Sequence, residues 1–531
     1  MKANLARTLM QAHSEWCFTR AFPKSRVERC QAEDALELVE QRTRLLSKSQ
    51  RRSLEDSGQA GTLLRYSFSF EVAKWLARTS PGAVSIDWEA LQNTERLDEL
   101  LRLLLQPSED EYFDSGAVTT QEWVTVASSG FQGTDFDWLM AQLGGKRLEP
   151  VWRQLYDAAD IPLVWDLSGS RYSKSLNVYP VAQISARQDG MRSRPQHVKR
   201  EIQRPVKSVS SLSRADGARM IDVAMASLAA RHRETYHFNF ANPEEVYLAD
   251  VGKGVSVAVF GLLPGHRFPL ECTMGYLILA NGAPVGYGGS SILFRQVNTG
   301  VNIFDEYRGS EASYLWVQVM RVYHSLVGCT RYIANPYQFG EGNREALQSG
   351  AFWFYYKLGY RPVLPDIRAL AKSELEKKQQ DPRHRSGTRT LRKLASCDMH
   401  LCLSGARQSE FFEEEWITTS SELATEVLGS AGGRTRRAAA DRVTSSLARD
   451  VGIRSLRTWS SDEKRGCSAL APIVAAAKPG TWDREAKQKL RELLRAKGSK
   501  HELDYARQLC LHDHFLKSLR AVCRDTQRRE R

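Results

Sequence analysis

The dipeptide Asn281-Gly282 constrains this chain more than any other feature. It sits between two apolar, β-rich runs, residues 272–280 and 284–294. Asn and Gly both tolerate the positive φ angles that a two-residue type I′ turn needs, so the stretch reads as an antiparallel hairpin. Other elements line up around it. Ser213 followed by 214–236 reads as a capped amphipathic helix, 255–263 as an apolar strand, 300–306 as a further strand, and 310–327 as a long helix stopped by Gly328. Residues 331–335 form a short strand, 343–358 a second helix ending at Gly359, and 360–363 begin a last extended piece. Helices and strands that alternate in this way, with a hairpin between them, give a mixed α/β centre over 205–365.

The flanks read differently. Residues 1–185 are mostly helical, with apolar spacing near 3.6 over 26–49, 63–78 and 88–105, the last entered through Asp87 as N-cap. Residues 186–204 form a basic linker within a charged stretch, 187–207, that carries Pro195 and Pro205. A nucleic-acid arm would want aromatics for base stacking, and 187–207 has none. Residues 366–531 are again mostly helical and end in a basic tail, 520–531. Hydrophobic residues make up 42% of the chain, enough for real cores. Lys and Arg number 75 against 62 Asp and Glu, a net +13 that is small against the number of charges and reads as dispersed surface charge ahead of an anionic partner. The nine cysteines are scattered without a C-x-x-C pair, which favours reduced thiols in a cytoplasmic setting. The longest apolar stretch, 255–263, falls short of the ~20 residues that cross a bilayer. The first twenty residues lack the apolar run of a signal peptide. The expectation is a soluble, cytoplasmic chain with no membrane partner.

Several common chemistries leave no trace. There is no phosphate-binding G-x-x-x-x-G-K-[ST], no H-E-x-x-H, no G-x-S-x-G, and no G-x-G-x-x-G between a strand and a helix. Cys510, His512 and His514 look like a metal cluster, but on a helix only Cys510 and His514 share a face, so no metal site is expected. His232 and His237 flank a helix end, where hydrogen bonding to backbone accounts for them.

The chemistry concentrates at Val301-Asn-Ile-Phe-Asp-Glu-Tyr-Arg-Gly-Ser-Glu-Ala-Ser313, where a strand runs through Arg308-Gly309 straight into a helix. A helix N-terminus offers unpaired N–H groups and the positive end of a dipole, a natural seat for phosphate. With Phe354-Tyr-Tyr-Lys-Leu-Gly-Tyr-Arg-Pro362 further on, this segment resembles the GNAT superfamily of acyl-CoA-dependent N-acyltransferases, over about 205–365. The resemblance implies an α/β fold: a GNAT-like mixed sheet with flanking helices, set between mostly helical N- and C-terminal regions. It implies that Ile303, Phe304 and Asp305 splay from the following strand and offer backbone groups to the pantetheine arm. Arg308, Gly309, Ser310, Glu311, Ala312 and Ser313 would wrap the pyrophosphate, with Asn343 beside the coenzyme. Tyr355, four residues before Gly359, would protonate the departing thiolate, and Glu306 would take a proton from the acceptor amine.

Two departures from the family pattern stand out. Glu311 replaces a glycine of the loop, where a carboxylate would repel pyrophosphate although it also suits a first helical turn, and Ser313 replaces a small residue. Asn343 lies twelve residues before Tyr355, while Gln348 holds the place seven before, where the family's asparagine usually lies. The loop 335–343 holds Gln338 and Asn343, which either orient an acceptor or are plain loop residues. The implied activity is transfer of an acyl group, acetyl first of all, from acyl-CoA as co-substrate to an unidentified amine. Two rivals stand beside it. One is a catalytically altered GNAT-like scaffold contacting nucleic acid through the basic segments 187–207, 372–393 and 520–531. The other is an aminoacyl-tRNA-using transferase on the same fold.

Overall fold

The structure is a computed structural model and describes residues 2–145, 147–309, 311–405 and 411–530. The chain folds into two compact units. One takes the residues up to Gln188 together with Arg219–Phe240 and Asn281–Pro284, and the other takes Asp189–Ala218, Ala241–Ala280 and the chain from Val285 onward. Among the described residues no helix is long and apolar enough to cross a membrane.

The first unit is mostly helical but holds a small antiparallel sheet that the apolar spacing did not show: β1 (Leu63–Tyr66), β2 (Val84–Ile86) and β3 (Leu163–Asp166), in the order β1-β3-β2. The helix expected over 63–78 is therefore confined to Phe70–Thr79, because Leu63–Tyr66 pairs in register with Leu163–Asp166. The helix expected over 88–105 shortens to Thr94–Arg102. Asp87 closes a turn ahead of that helix instead of capping it: it accepts the Ala90 N–H at 3.3 Å and pairs with Arg65 at 3.2 Å, and the Trp88 indole donates to Asp135 at 2.6 Å. The Asn281-Gly282 turn has the expected conformation, with φ of 48° and 81°. The Asn281 amide group donates to Ala21 O at 2.9 Å, and its carbonyl accepts from the Ser185 N–H at 2.8 Å. A Cβ on Gly282 would stand 2.1 Å from Tyr179 O, so the turn accepts no larger residue there.

The second unit is built on a ten-stranded mixed sheet. Its strands are β4 (Ser208–Ser211), β5 (Ala241–Gly252), β6 (Val255–Leu262), β7 (Cys272–Ala280), β8 (Ala283–Leu293), β9 (Gln296–Thr299), β10 (Asn302–Ile303), β11 (Arg331–Ala334), β12 (Arg361–Pro362) and β13 (Met399–Cys402). The order is β12-β13-β11-β9-β8-β7-β6-β5-β4, with β10 added to β8. Every residue of β7 is buried, which explains its unbroken apolar run. β9 and β11 run parallel, joined by the helix Ala312–Val327; Gly328 at φ 86° ends that helix as expected.

Several expectations change here. The strand expected over 300–306 shrinks to β10 at Asn302–Ile303, with β9 ending at Thr299 before Gly300, and Asp305–Tyr307 is a 3-10 turn. The helix expected over 343–358 splits at Gly350 (φ 65°) into Arg344–Ser349 and Ala351–Lys357. Beyond residue 365, where helices were expected, β13 returns to the sheet and pairs antiparallel with both β11 and β12. The basic stretch 187–207 is not a free linker. Val198–Gln203 is helical with Ile202 fully buried, and Arg321 holds the carbonyls of Arg204 and Pro205. In the tail, 520–530 belongs to the helix Asp513–Glu530, and Arg520 and Arg524 both lie over the Trp416 ring. The His512 and His514 rings pack on Trp482, and His512 Nδ1 accepts from the Phe515 N–H at 3.2 Å.

A buried charge cluster ties the C-terminal helices to the sheet. Arg267 meets Glu245 of β5 at 3.2 Å and Glu502 at 3.8 Å, and Lys497 meets Glu502 at 3.2 Å. The Lys497 ammonium also donates to Glu271 O at 3.0 Å and lies 4.0 Å from the centre of the Tyr505 ring. Glu245 accepts the Leu503 N–H at 2.8 Å, yet burial raises its carboxyl to about 7.

Candidate active site

The site begins where two parallel strands part company. Gln296, Val297 and Asn298 of β9 face Arg331, Tyr332 and Ile333 of β11. Beyond that point β9 continues into β10, which pairs with Tyr287 and Gly286 of β8, while β11 continues into the 3-10 turn Pro336–Phe339. The Phe304 N–H donates to Val285 O at 3.0 Å. Phe304 and Asn302 thus point their backbone groups at β8. In antiparallel pairing the intervening residues point theirs the other way, so Val301 and Ile303 turn their backbone groups away from β8, to the side where β11 has left.

Glycines let the chain pass close to its neighbours at this parting. A Cβ on Gly300 would fall 1.9 Å from the Gln338 side-chain oxygen, so the Gln338 amide packs directly on Gly300. A Cβ on Gly288 would fall 2.4 Å from the Tyr276 hydroxyl and 2.5 Å from Gly300 O. The Tyr276 hydroxyl donates to Gly300 O, which fixes the carbonyl at the break between β9 and β10.

Tyr355 reaches the same point from the helix Ala351–Lys357. Its ring is 2% exposed and meets Trp316, Phe339 and Tyr360 edge-on at centroid distances of 6.3, 6.1 and 5.3 Å. Its hydroxyl oxygen faces the Val301 N–H, a contact that favours the phenolate, but burial outweighs it and raises the phenol well above its ordinary value. Tyr355 is therefore protonated at neutral pH. A backbone N–H and a protonated phenol at one place can polarise a carbonyl and return a proton to a leaving atom. Tyr356, its neighbour, faces elsewhere: Arg361 lies 4.1 Å from its ring centre.

The remaining candidates are distributed along the junction. Ile303 is the last residue of β10, Phe304 stacks on Tyr287 at 5.4 Å, and Asp305 is exposed. Glu306 is half-buried in the following 3-10 turn. Arg308 pairs with Asp305 at 2.8 Å and with Glu345, so two carboxylates already attend its charge. Gly309 takes φ 78° with open space about it. Ser310, expected in the pyrophosphate loop, lies outside the described residues. Glu311 stands at the N-cap position, and Ala312 and Ser313 form the first turn. The Glu311 side chain has no exposure and does not bond the helix end. It accepts the Arg192 N–H at 3.0 Å and meets the Arg192 guanidinium at 3.4 Å. Asn343, expected beside the coenzyme, caps the helix Arg344–Ser349 instead, accepting the Ala346 N–H at 3.0 Å. The sequence reading missed Tyr276 and the glycines at 286, 288 and 300. The signal for them was present in the run Gly286-Tyr-Gly-Gly289, since glycines inside a strand mark a close approach of backbone.

Comparison of the chain with family models, with curated proteins and with solved structures finds no match.

Proposed function

We propose that the second unit is a GNAT-like N-acyltransferase that moves an acyl group, acetyl first of all, from acyl-CoA to an amine. One observation carries the reading: the parallel strands β9 and β11 separate after Asn298 and Ile333, and the Val301 N–H and the Tyr355 hydroxyl meet on that side. The pantetheine arm would lie along Val301 and Ile303 as a surrogate strand. The amine nitrogen, relieved of a proton by Glu306, attacks the thioester carbonyl. The C–N bond forms, the C–S bond breaks, and Tyr355 gives its proton to the sulfur. A thiol has an ordinary pKa near ~8.5, so its thiolate accepts a proton readily from a phenol at the moment of departure. The rest of the catalysis is alignment of two reactants in one cleft.

Isothermal titration of the full chain with acetyl-CoA tests this. A saturable signal abolished by excess free CoA is expected. No heat and no competition would remove the reading.

The ion pairs at Arg308 favour a second reading, an acyl donor that does not place a pyrophosphate at this loop. An aminoacyl-tRNA is such a donor. Binding of charged tRNA, with no response to acetyl-CoA, would select it.

A further inference from the structure

The second unit carries a cavity of about 980 Å³ that the proposed acyl transfer does not use. Its walls come from β11, β12, β13, the end of the helix Ala351–Lys357 and the helix Pro365–Gln380. Lys199, Arg331, Arg361, Arg368 and Lys372 line it, and among the described residues Glu413 is the one carboxylate on its wall. The register explains the convergence. Arg331 stands opposite Cys402, and Arg361 stands opposite His400, so these four side chains share one face of the sheet. Tyr332, the next residue of β11, points to the other face and bonds Met320 O of the helix Ala312–Val327 at 2.7 Å.

Arg361 and Arg368 are held in place by groups that leave their charge intact, while Lys372 has Glu376 at 4.0 Å. Arg361 donates to the carbonyls of Tyr356 at 2.9 Å and Tyr360 at 2.7 Å while lying over the Tyr356 ring. Arg368 donates to Pro362 O at 3.0 and 3.2 Å. Arg331, only 4% exposed, lies 3.8 Å from the centre of the Phe411 ring. Backbone carbonyls and aromatic faces fix a guanidinium without neutralising it, and a fixed guanidinium presents its remaining N–H groups as a fork suited to phosphate. His400 adds a buried Nε2 that has no hydrogen-bond partner among the described residues. Burial and the nearby Arg331 keep that imidazole neutral.

We infer that this cavity is a binding site for a small phosphorylated molecule carrying two or more phosphate charges, separate from the strand gap where acyl transfer is placed. A volume near the upper end of ordinary ligand pockets accommodates a molecule of nucleotide size. A nucleic acid strand fits less well. Arg331 and the His400 Nε2 lie too deep for phosphates held on a polymer, and Tyr356 already has Arg361 across its face, so no base platform is offered. Arg361 and Arg368 on one wall repel each other, and an anion beside them relieves that repulsion.

The test uses the full chain and inorganic pyrophosphate as probe. Isothermal titration at constant salt is expected to give one site, and saturating pyrophosphate to raise the melting temperature. Lys199 and Lys372 are exposed, so the double variant Lys199→Gln/Lys372→Gln folds normally and is expected to bind about tenfold more weakly. Arg96→Gln, an exposed change in the first unit, leaves binding unchanged. Absence of both heat and thermal shift overturns the inference. So does equal affinity in the double variant. Displacement of pyrophosphate by a single-stranded oligonucleotide, with an affinity that falls steeply with salt, also overturns it and makes the face a nucleic-acid surface. Competition by acetyl-CoA would show that the cavity is not separate from the coenzyme site.

Discussion

Tyr355→Phe removes one oxygen atom and distinguishes chemistry from packing. The ring stays among Trp316, Phe339 and Tyr360, so the apolar contacts survive. Two things are lost. The half-buried Val301 N–H loses the oxygen it faces, which costs about 1 kcal/mol or less of stability. The proton for the leaving thiolate is also lost, which lowers turnover by ~10²–10⁴-fold if Tyr355 is the general acid. These effects separate experimentally. Chemical denaturation reads the first, and the steady-state rate with saturating acetyl-CoA and an amine acceptor reads the second. KM for acetyl-CoA should change little, since in the proposed site the backbone of Val301 and Ile303 would hold the pantetheine. A bound thioester carbonyl would give the orphaned Val301 N–H a new acceptor, so acetyl-CoA should stabilise the variant at least as much as the native chain. Tyr356→Phe is the control, because Tyr356 faces Arg361 and not the strand gap. Equal turnover in the two variants would refute the assignment of the proton. A stability loss without any loss of rate would make Tyr355 a packing residue that happens to satisfy an amide.

Three further outcomes follow from the same geometry. Lys497→Met leaves the buried Glu502 with only Arg267 at 3.8 Å for charge compensation, and should cost about 3–5 kcal/mol in a denaturant titration. The double variant Lys497→Met/Glu502→Gln should recover much of that loss. Gly288→Val places carbon against Gly300 O and the Tyr276 hydroxyl, so acetyl-CoA binding should weaken more than the melting temperature falls; normal binding would show that the break at Gly300 is not part of the site. Burial lowers His237 and His512 to about 4 and His400 to about 3, so each is neutral when folded and gains a proton when unfolded below its ordinary value. Their stabilisation is present above pH ~6.5 and is lost as pH falls, by about 2 kcal/mol each between pH 6.5 and 5, so melting curves across that range should show a steep decline; a flat profile would contradict the burial of these rings.

The parts of the fold that the sequence revealed are those with local causes. The type I′ hairpin at Asn281-Gly282, the stop at Gly328 and the helix Ala312–Val327 each follow from φ preferences or apolar spacing within one segment. The missed elements have non-local causes. Met399–Cys402 is a short stretch that becomes a strand because β11 and β12 both have an open edge to meet it. Leu63–Tyr66 carries helix-forming residues and still pairs with β3. In both cases tertiary hydrogen bonding overrides local preference. Gly350 was legible in principle, since a glycine inside a helical pattern weakens it. Its positive φ turns one expected helix into two, and so changes which residues the helix Ala351–Lys357 presents to the sheet.

The candidate site divides along the same line. Tyr355 was named from sequence through the resemblance and its spacing to Gly359, whereas the break at Gly300 was not foreseen. The charged loop could not be resolved that way. From sequence, Arg308 offers a cation to a phosphate and Glu311 withholds the site by repulsion, two opposed effects at one helix entry. The structure changes both terms. Asp305 and Glu345 draw on the Arg308 charge, while Arg192, from a stretch that reads as linker, takes the Glu311 carboxylate. Glu311 is therefore less of an obstacle, and Arg308 less of an attraction, than either residue suggests alone. What remains for an anionic donor at this loop is the backbone, the Gly309 turn and the first helical N–H groups, a weaker seat than one with a free guanidinium. Among the described residues, Arg361 and Arg368 line a cavity elsewhere on this unit with their side chains held by carbonyls and the Tyr356 ring.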